Sequence, residues 1–222
     1  MSPPLSIRPY SPADRAAVRA IAHSTGYMGE PAGWLWRDTE SFADLTTGWY
    51  TDFEPESALV VTTEPGDDVV GYLLGCVDSR RKPALSRTIA RHAVGRALLL
   101  RPGTAGTLWK GAADIARELG HGREVPDVAY HDESFPSHLH IDLLPVARGG
   151  GVGRRLVTGF LERAAAAGSP GCHIETIAEN KPAIAFFERL GFASTGVVRP
   201  MPGWRSRDGV RLSIAVMTKP LS

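Results

Sequence analysis

Apolar residues recur along this chain with two different periods, and the switches between them mark its elements. Leu5 to Arg8 reads as a short strand, and Ser11-Pro12-Ala13-Asp14 then has the form of a helix start, with Val18, Ile21 and Ala22 on its buried side. Residues 23–57 are irregular and aromatic, with Tyr27, Trp34, Trp36, Phe42, Trp49, Tyr50 and Phe53; the spacing of Phe42, Leu45 and Trp49 predicts a helix between Thr39 and Tyr50. Those aromatics either pack on a core or wall a pocket. Ala58–Thr63 and Val69–Val77 form a hairpin around the turn at residues 64–68. Two helical stripes follow: Leu85, Ile89, Ala93, Ala97 and Leu100, stopped by Arg101-Pro102-Gly103, then Leu108, Ala112, Ile115 and Leu119, closed by Gly120. A loop at 121–137 leads to a strand from Ser137 to Val146. Its polar residues His138, His140 and Asp142 alternate with Leu139, Ile141 and Leu143. Such a polar face either lines a cleft or lies on a solvated sheet edge. A helix from Val152 to about Ala167, a strand at Cys172–Ile177 and an Asn180-capped helix ending at Gly191 come next. Strands at 192–198 and 211–218 close the pattern, flanking a loop at Pro200–Gly209.

The junction at residues 143–156 carries the candidate chemistry. Glycines 149, 150, 151 and 153 fall between a strand and a helix. Glycine lets the backbone turn tightly and leaves its N–H groups uncovered. The first N–H groups of a helix lack internal partners and carry partial positive charge, which makes such a junction an anion site suited to phosphate. Arg148, Arg154 and Arg155 crowd the same helix start. Exposed cations there oppose the dipole by about 0.3–1 kcal/mol each, a sign that an anionic ligand would reverse; otherwise they point into water. A P-loop is excluded, because no Lys-Ser or Lys-Thr follows the glycines, and a Gly-x-Gly-x-x-Gly fingerprint fails because Arg154 and Leu156 occupy the third glycine positions.

The spacing that does fit is Arg148-x-x-Gly151-x-Gly153. It resembles the coenzyme A pyrophosphate loop of the GNAT family of N-acetyltransferases. Downstream, Glu175, Asn180, Phe187 and Leu190-Gly191-Phe192 match the family spacing of Glu, Asn, Tyr and Leu-Gly-Phe. The order of elements across 138–198 resembles the family core, and the strand–helix opening extends the likeness toward the N-terminus. Within the family, His138-Leu139-His140-Ile141-Asp142 is most similar to bacterial relatives of the acetyltransferase-like domain of O-GlcNAcases.

The resemblance implies an α/β (mixed α+β) fold, read as a single domain over 1–222. Its mixed central sheet, flanked by helices, would splay between strands 4 and 5, with 79–137 as a helical insertion between strands 3 and 4. It also implies acetyl-CoA as cosubstrate. Pantetheine would pair with backbone from Leu143 through Leu144 to Val146. The pyrophosphate would lie beside Arg148 on the amides of Gly149, Gly150, Gly151, Val152, Gly153 and Arg154, and Asn180 and Phe187 would approach pantetheine and thioester. The insertion would border the acceptor site or serve as a structural or dimer-forming appendage.

Chemistry sets the remaining needs. A primary alkyl amine, with a reference pKa of about 10.4, must lose a proton before attacking a thioester. Asp142 and Glu175 are the candidate bases and His140 a third; each has an ordinary structural role as its alternative. A strand N–H near Asp142 or Leu143 would bind the oxyanion. The family often has tyrosine where this chain has Phe187, which cannot donate a proton. The expected activity is therefore acetyl transfer to a primary amine of a small molecule or peptide, and the alternative is a coenzyme A-binding sensor or scaffold with little or no catalysis.

Composition narrows the partners. The 222 residues carry a net charge of +1, so no basic field favours nucleic acid. Two cysteines, Cys76 and Cys172, do not make a disulfide framework, and they read as buried reduced thiols. No secretion signal, membrane span or trusted metal spacing is visible, so a cytoplasmic monomer or homodimer without metal is expected.

Overall fold

The computed structural model describes residues 3–83, 85–123 and 130–221; part of the expected 121–137 loop, residues 124–129, lies outside them. Among the described residues, seven strands form one sheet: β1 (Leu5–Pro9), β2 (Ala58–Thr63), β3 (Val69–Cys76), β4 (Ser137–Leu143), β5 (Gly171–Ile177), β6 (Ala193–Arg205) and β7 (Arg211–Pro220), in the order β1-β2-β3-β4-β5-β7-β6. All neighbours are antiparallel except β4 and β5.

One face is covered by α6 (Val152–Ala166) and α7 (Lys181–Glu188). Leu156, Val157, Phe160 and Phe187 pack there with Leu73, Leu139, Ile174 and Met217 of the sheet. The other face takes α1 (Arg15–Thr25), whose Val18, Ile21 and Ala22 meet Val60, Tyr72 and Leu74. Asp14 folds back onto the Ser11 N–H (2.8 Å), the expected start to the turn preceding α1. The aromatic segment continues this layer as α2 (Thr39–Ala43) and α3 (Trp49–Phe53), joined by a π-helical turn at Asp44–Gly48. Tyr27, Trp36, Phe42 and Tyr50 are buried, so most of these aromatics are core, while Trp34 and Phe53 stay 38% and 67% exposed.

The insertion between β3 and β4 contains α4 (Leu85–Gly95) and α5 (Ala105–Gly120). The expected helix to Leu100 stops short, because Ala97 adopts a left-handed conformation (φ 48°) and Leu98–Leu100 form a separate 3-10 turn. The insertion is fastened at two places. Asp38 accepts from Arg96 and Arg101; burial alone would raise its carboxyl, but the bonds from Arg96 and Ser41 hold it at about 2. On α5, Asp114 accepts from the Gly203 N–H (2.9 Å) and from Arg205 (2.6 Å).

Two strand boundaries differ from expectation. β4 ends at Leu143 rather than Val146, because Pro145 opens a 3-10 turn, Pro145–Ala147. β6 runs on to Arg205, so the loop expected at Pro200–Gly209 shrinks to a turn between Arg205 and Arg211. β6 is an edge strand whose register shifts twice, and there Pro200 and Pro202 are tolerated.

Candidate functional site

β4 and β5 are paired only at Ser137–Cys172 and His138–His173, after which they part. β4 remains bound to β3, and β5 to β7, along their lengths. The Leu144 N–H donates to the Val70 carbonyl (2.9 Å). By antiparallel alternation the backbone groups of Asp142 and Leu144 therefore face β3, and those of Ile141 and Leu143 face the gap. The carbonyl of Leu143 is taken by Arg148 Nε (2.9 Å), and Arg148 Nη2 donates to the Gly29 carbonyl (2.7 Å). Arg148 thus ties the end of β4 to the loop after α1. Val146 lies in the turn, whose next amides donate inward to the Leu144 and Pro145 carbonyls, so the backbone expected to pair through Val146 is cut short.

The glycine run leads straight into α6. Gly151 is its N-cap at φ 77°, and Gly149 has φ 87°. The N–H groups of Gly149, Gly150, Gly151, Val152, Gly153 and Arg154 have no acceptor among the described residues. A Cβ on Gly149, Gly150 or Gly151 would meet nothing within 4 Å, and all three residues are exposed, so this turn is open to solvent. A row of six free donors at a helix start is an anion cradle. At Gly153 the far wall is close: a Cβ there would lie 3.3 Å from Phe186 Cζ and 3.4 Å from Leu143 Cδ1.

Asn180 follows β5 and caps α7, its Oδ1 accepting from the Ala183 N–H at 3.3 Å. Phe187, expected beside the thioester, is only 6% exposed and packs edge-on against Phe186 and Phe192 in the core. Phe186 instead stands beside the mouth of the gap.

Polar side chains gather on the α1 face of β4 and β5. Tyr72 and Asp142 are opposite one another in the β3–β4 register. The Tyr72 hydroxyl donates to Asp142 Oδ2 (2.5 Å), and His140 Nε2 lies 3.1 Å from the same oxygen. Burial and the Asp142 charge push the Tyr72 hydroxyl well above the usual tyrosine range. A second group sits at the paired end: Lys82 Nζ donates to Tyr50 Oη (2.8 Å), and Tyr50 Oη lies 2.6 Å from His138 Nδ1. His138 rests against His173, whose Nδ1 bonds the Phe135 carbonyl. Burial pushes His138 well below the usual histidine range and His173 down to about 4, and it lowers Lys82. Glu175 accepts from the Tyr130 N–H (2.9 Å), and burial raises its carboxyl.

The structure therefore brings Asp142 and His140 together and sets Glu175 on the same face of the neighbouring strand. Tyr72, Lys82, His173 and Tyr130 were not singled out as site residues from sequence, and Tyr50 was read only as one of the aromatics that pack on a core or wall a pocket. Their only sequence signal was the alternation of His138, His140 and Asp142, which showed one side of the cluster. Cys76 and Cys172 are buried free thiols, and burial pushes Cys76 up to about 12. Among the described residues no group of three or more His, Cys, Asp or Glu could hold a metal ion, and no helix is long and apolar enough to cross a membrane.

Comparison with known proteins gives a consistent picture. The model of the "Acetyltransferase (GNAT) family" matches residues 25–192. The crystal structure of SsHAT is 28% identical, with a TM-score of 0.67, covering 99% of this chain and 100% of that one. A GNAT superfamily phosphinothricin acetyltransferase from Sinorhizobium meliloti, solved in complex with acetyl-CoA, is 18% identical with a TM-score of 0.57, covering 100% and 90%. The ribosomal-protein-S18-alanine N-acetyltransferase from Escherichia coli is 16% identical with a TM-score of 0.54, covering 99% and 95%. The last two likenesses are of fold.

Proposed function

The chain belongs to the GNAT family of acetyltransferases, and from that premise we propose that it binds acetyl-CoA in the gap between β4 and β5 and transfers the acetyl group to a primary amine of a small molecule or peptide. The observation that carries this reading is the gap itself: two strands that separate beside six unpaired amides at the start of α6. The pyrophosphate would rest on the amides from Gly149 to Arg154, with Arg154 exposed beside them. Pantetheine would run between the strands along Leu143 and Leu144, with Phe186 and Asn180 across from it. Val146 would border the cofactor through its side chain in the turn.

Transfer needs three things of the site. The thioester carbonyl must develop negative charge near a donor, and the N–H groups of Ile141 and Leu143 face the gap where it would lie. The amine must be drawn in and deprotonated, and the candidate bases Asp142, Glu175 and His140 lie on the acceptor face. The thiolate must depart. Phe187 has no hydroxyl, and the hydroxyls of Tyr50, Tyr72 and Tyr130 are engaged by His138, Asp142 and Asp132. With a thiol pKa of about 8.5, the thiolate leaves without a dedicated acid.

Within the family, the run His138–Asp142 supports kinship with bacterial relatives of the acetyltransferase-like domain of O-GlcNAcases, and cytoplasmic residence suits an acetyl-CoA user. The missing tyrosine also favours a second reading, a coenzyme A-binding sensor or scaffold with little turnover. Calorimetric titration with acetyl-CoA tests the shared part. Wild type should bind, and Gly150→Glu should weaken binding by about 100-fold or more, since a carboxylate would stand where the pyrophosphate charge belongs. Gly150 has open space and no left-handed φ, so the substitution should leave the melting temperature unchanged. Absence of wild-type binding would overturn both readings.

A further inference from the structure

The acceptor face holds three groups able to take a proton from an incoming ammonium: Asp142, Glu175 and His140. Their surroundings differ in ways that bear on which one does so. Asp142 Oδ2 already receives the Tyr72 hydroxyl and faces His140 Nε2, and its side chain is 16% exposed. That oxygen is therefore already occupied by the protein's own groups, and little of the carboxylate is open to an incoming amine. Glu175 is raised by burial, but its carboxylate is engaged by the Tyr130 N–H and stands near the Lys82 charge, within the cluster at the paired end of the strands. His140 is the most open of the β4 pair, with a third of its side chain (33%) exposed. It is also held from two sides, by Asp142 at Nε2 and by Tyr72, against which its ring stacks at 5.8 Å and 25°.

We infer that His140 is the base that deprotonates the acceptor amine, and that Asp142, itself fixed by Tyr72, is the positioning residue that holds the imidazole; this rests on the acetyltransfer reading above. An ionised Asp142 accepts from Nε2–H, which fixes the tautomer and leaves the lone pair on Nδ1. The ring belongs to the residue beside Ile141, whose N–H faces the gap. His140 therefore flanks the position assigned to the thioester carbonyl. The ammonium gives one proton to His140 Nδ1, and the Asp142 charge stabilises the imidazolium. The amine nitrogen then bonds to the carbonyl carbon, the C–S bond breaks, and the electron pair leaves on sulfur. The nitrogen releases a second proton as the amide forms. One of the two protons ends on the thiol and the other in solvent.

The test exploits two amines and acetyl-CoA. Benzylamine is protonated at neutral pH and needs the base; methoxyamine is already unprotonated and does not. Coenzyme A release and the acetylated product are followed for wild type, His140→Gln, Asp142→Asn and Glu175→Gln. His140→Gln should lose about 100-fold or more on benzylamine and stay within about threefold of wild type on methoxyamine. Glu175→Gln should lower both amines alike. In 15N spectra of the imidazoles, wild-type His140 should carry its proton on Nε2. Asp142→Asn should lose that signature together with about tenfold of the benzylamine rate, which a merely structural carboxylate would not do. Unchanged benzylamine turnover in His140→Gln, an equal loss on both amines, or a proton on Nδ1 would overturn the assignment. A selective benzylamine loss in Glu175→Gln alone would move the base to that residue. Wild-type protein that binds acetyl-CoA and acetylates neither amine would defeat the acetyltransferase reading and this base with it. Selective failures in the variants would defeat the base alone.

Discussion

The two ends of the β4–β5 pair are built from the same two strands and do opposite things. At the closed end Ser137 and His138 sit in register with Cys172 and His173, and every residue there is buried. Ser137 Oγ bonds the Val77 carbonyl (2.8 Å) and Ser169 Oγ (2.7 Å), stitching both strands to the chain beside them. At the open end Arg148 ties the Leu143 carbonyl to the loop after α1, away from β5, and Ile141 and the Leu143 N–H face a gap. β4 keeps β3 and β5 keeps β7, so the sheet is two antiparallel blocks held by two residue pairs and by the α6–α7 core that spans both. Unpaired strand backbone requires a partner, from water or a ligand. What the closed end spends on rigidity, the open end leaves available for binding.

Four perturbations would break or sharpen this contrast. The largest acts through pH on the closed end. His173 is neutral in the folded protein with its pKa near 4, pushed down from 6.5 by burial. The unfolded chain takes up its proton first as pH falls, so stability declines from pH 6.5 toward 4, by roughly 3 kcal/mol. Urea unfolding at the two ends of that window should show the decline, and it should be shallower in His173→Gln; equal declines would remove His173 as its source. Next come the two glycines of β3. A Cβ on Gly75, opposite Leu139 next to the paired end, would fall 2.1 Å from Phe160 and should cost about 1–3 kcal/mol while leaving acetyl-CoA affinity alone. A Cβ on Gly71, opposite Leu143, would fall 2.4 Å from Leu143 Cδ2. Gly71→Ala should therefore weaken acetyl-CoA binding several-fold as well, by calorimetry. Smallest is Ser137→Ala, which removes a buried hydroxyl at the stitch and should lower stability by about 1 kcal/mol in the same unfolding assay, with affinity unchanged.

The order of elements from β4 to α7 was legible in the sequence because each boundary carried its own signal: glycines at 149–153, Gly168, Asn180 before Pro182, and Gly191. The parting of β4 from β5 was legible only through family resemblance, since no local pattern records where two strands separate. Leu144-Pro145-Val146 reads as more strand because it is apolar; only the turn geometry shows that Pro145 ends it. Pro200 and Pro202 read as loop, yet an edge strand with shifted register accommodates them. Within the site, Asp142 and His140 were visible as an alternating face. Tyr72, 70 positions earlier, meets Asp142 only through the β3–β4 register, and Tyr50 reaches His138 across 88 positions. Phe187 was placed by motif spacing, but the helical turn sets Phe186 beside the gap and sends Phe187 into the core.

The central claim, that the open end is a coenzyme A site and the closed end its paired support, is tested most directly by amide 15N–1H spectra recorded during titration with acetyl-CoA. The account predicts that Ile141, Leu143 and the amides from Gly149 to Arg154 shift most, while Ser137, His138, Cys172 and His173 stay in place. Shifts concentrated at the paired end, or none at saturating acetyl-CoA, would contradict it.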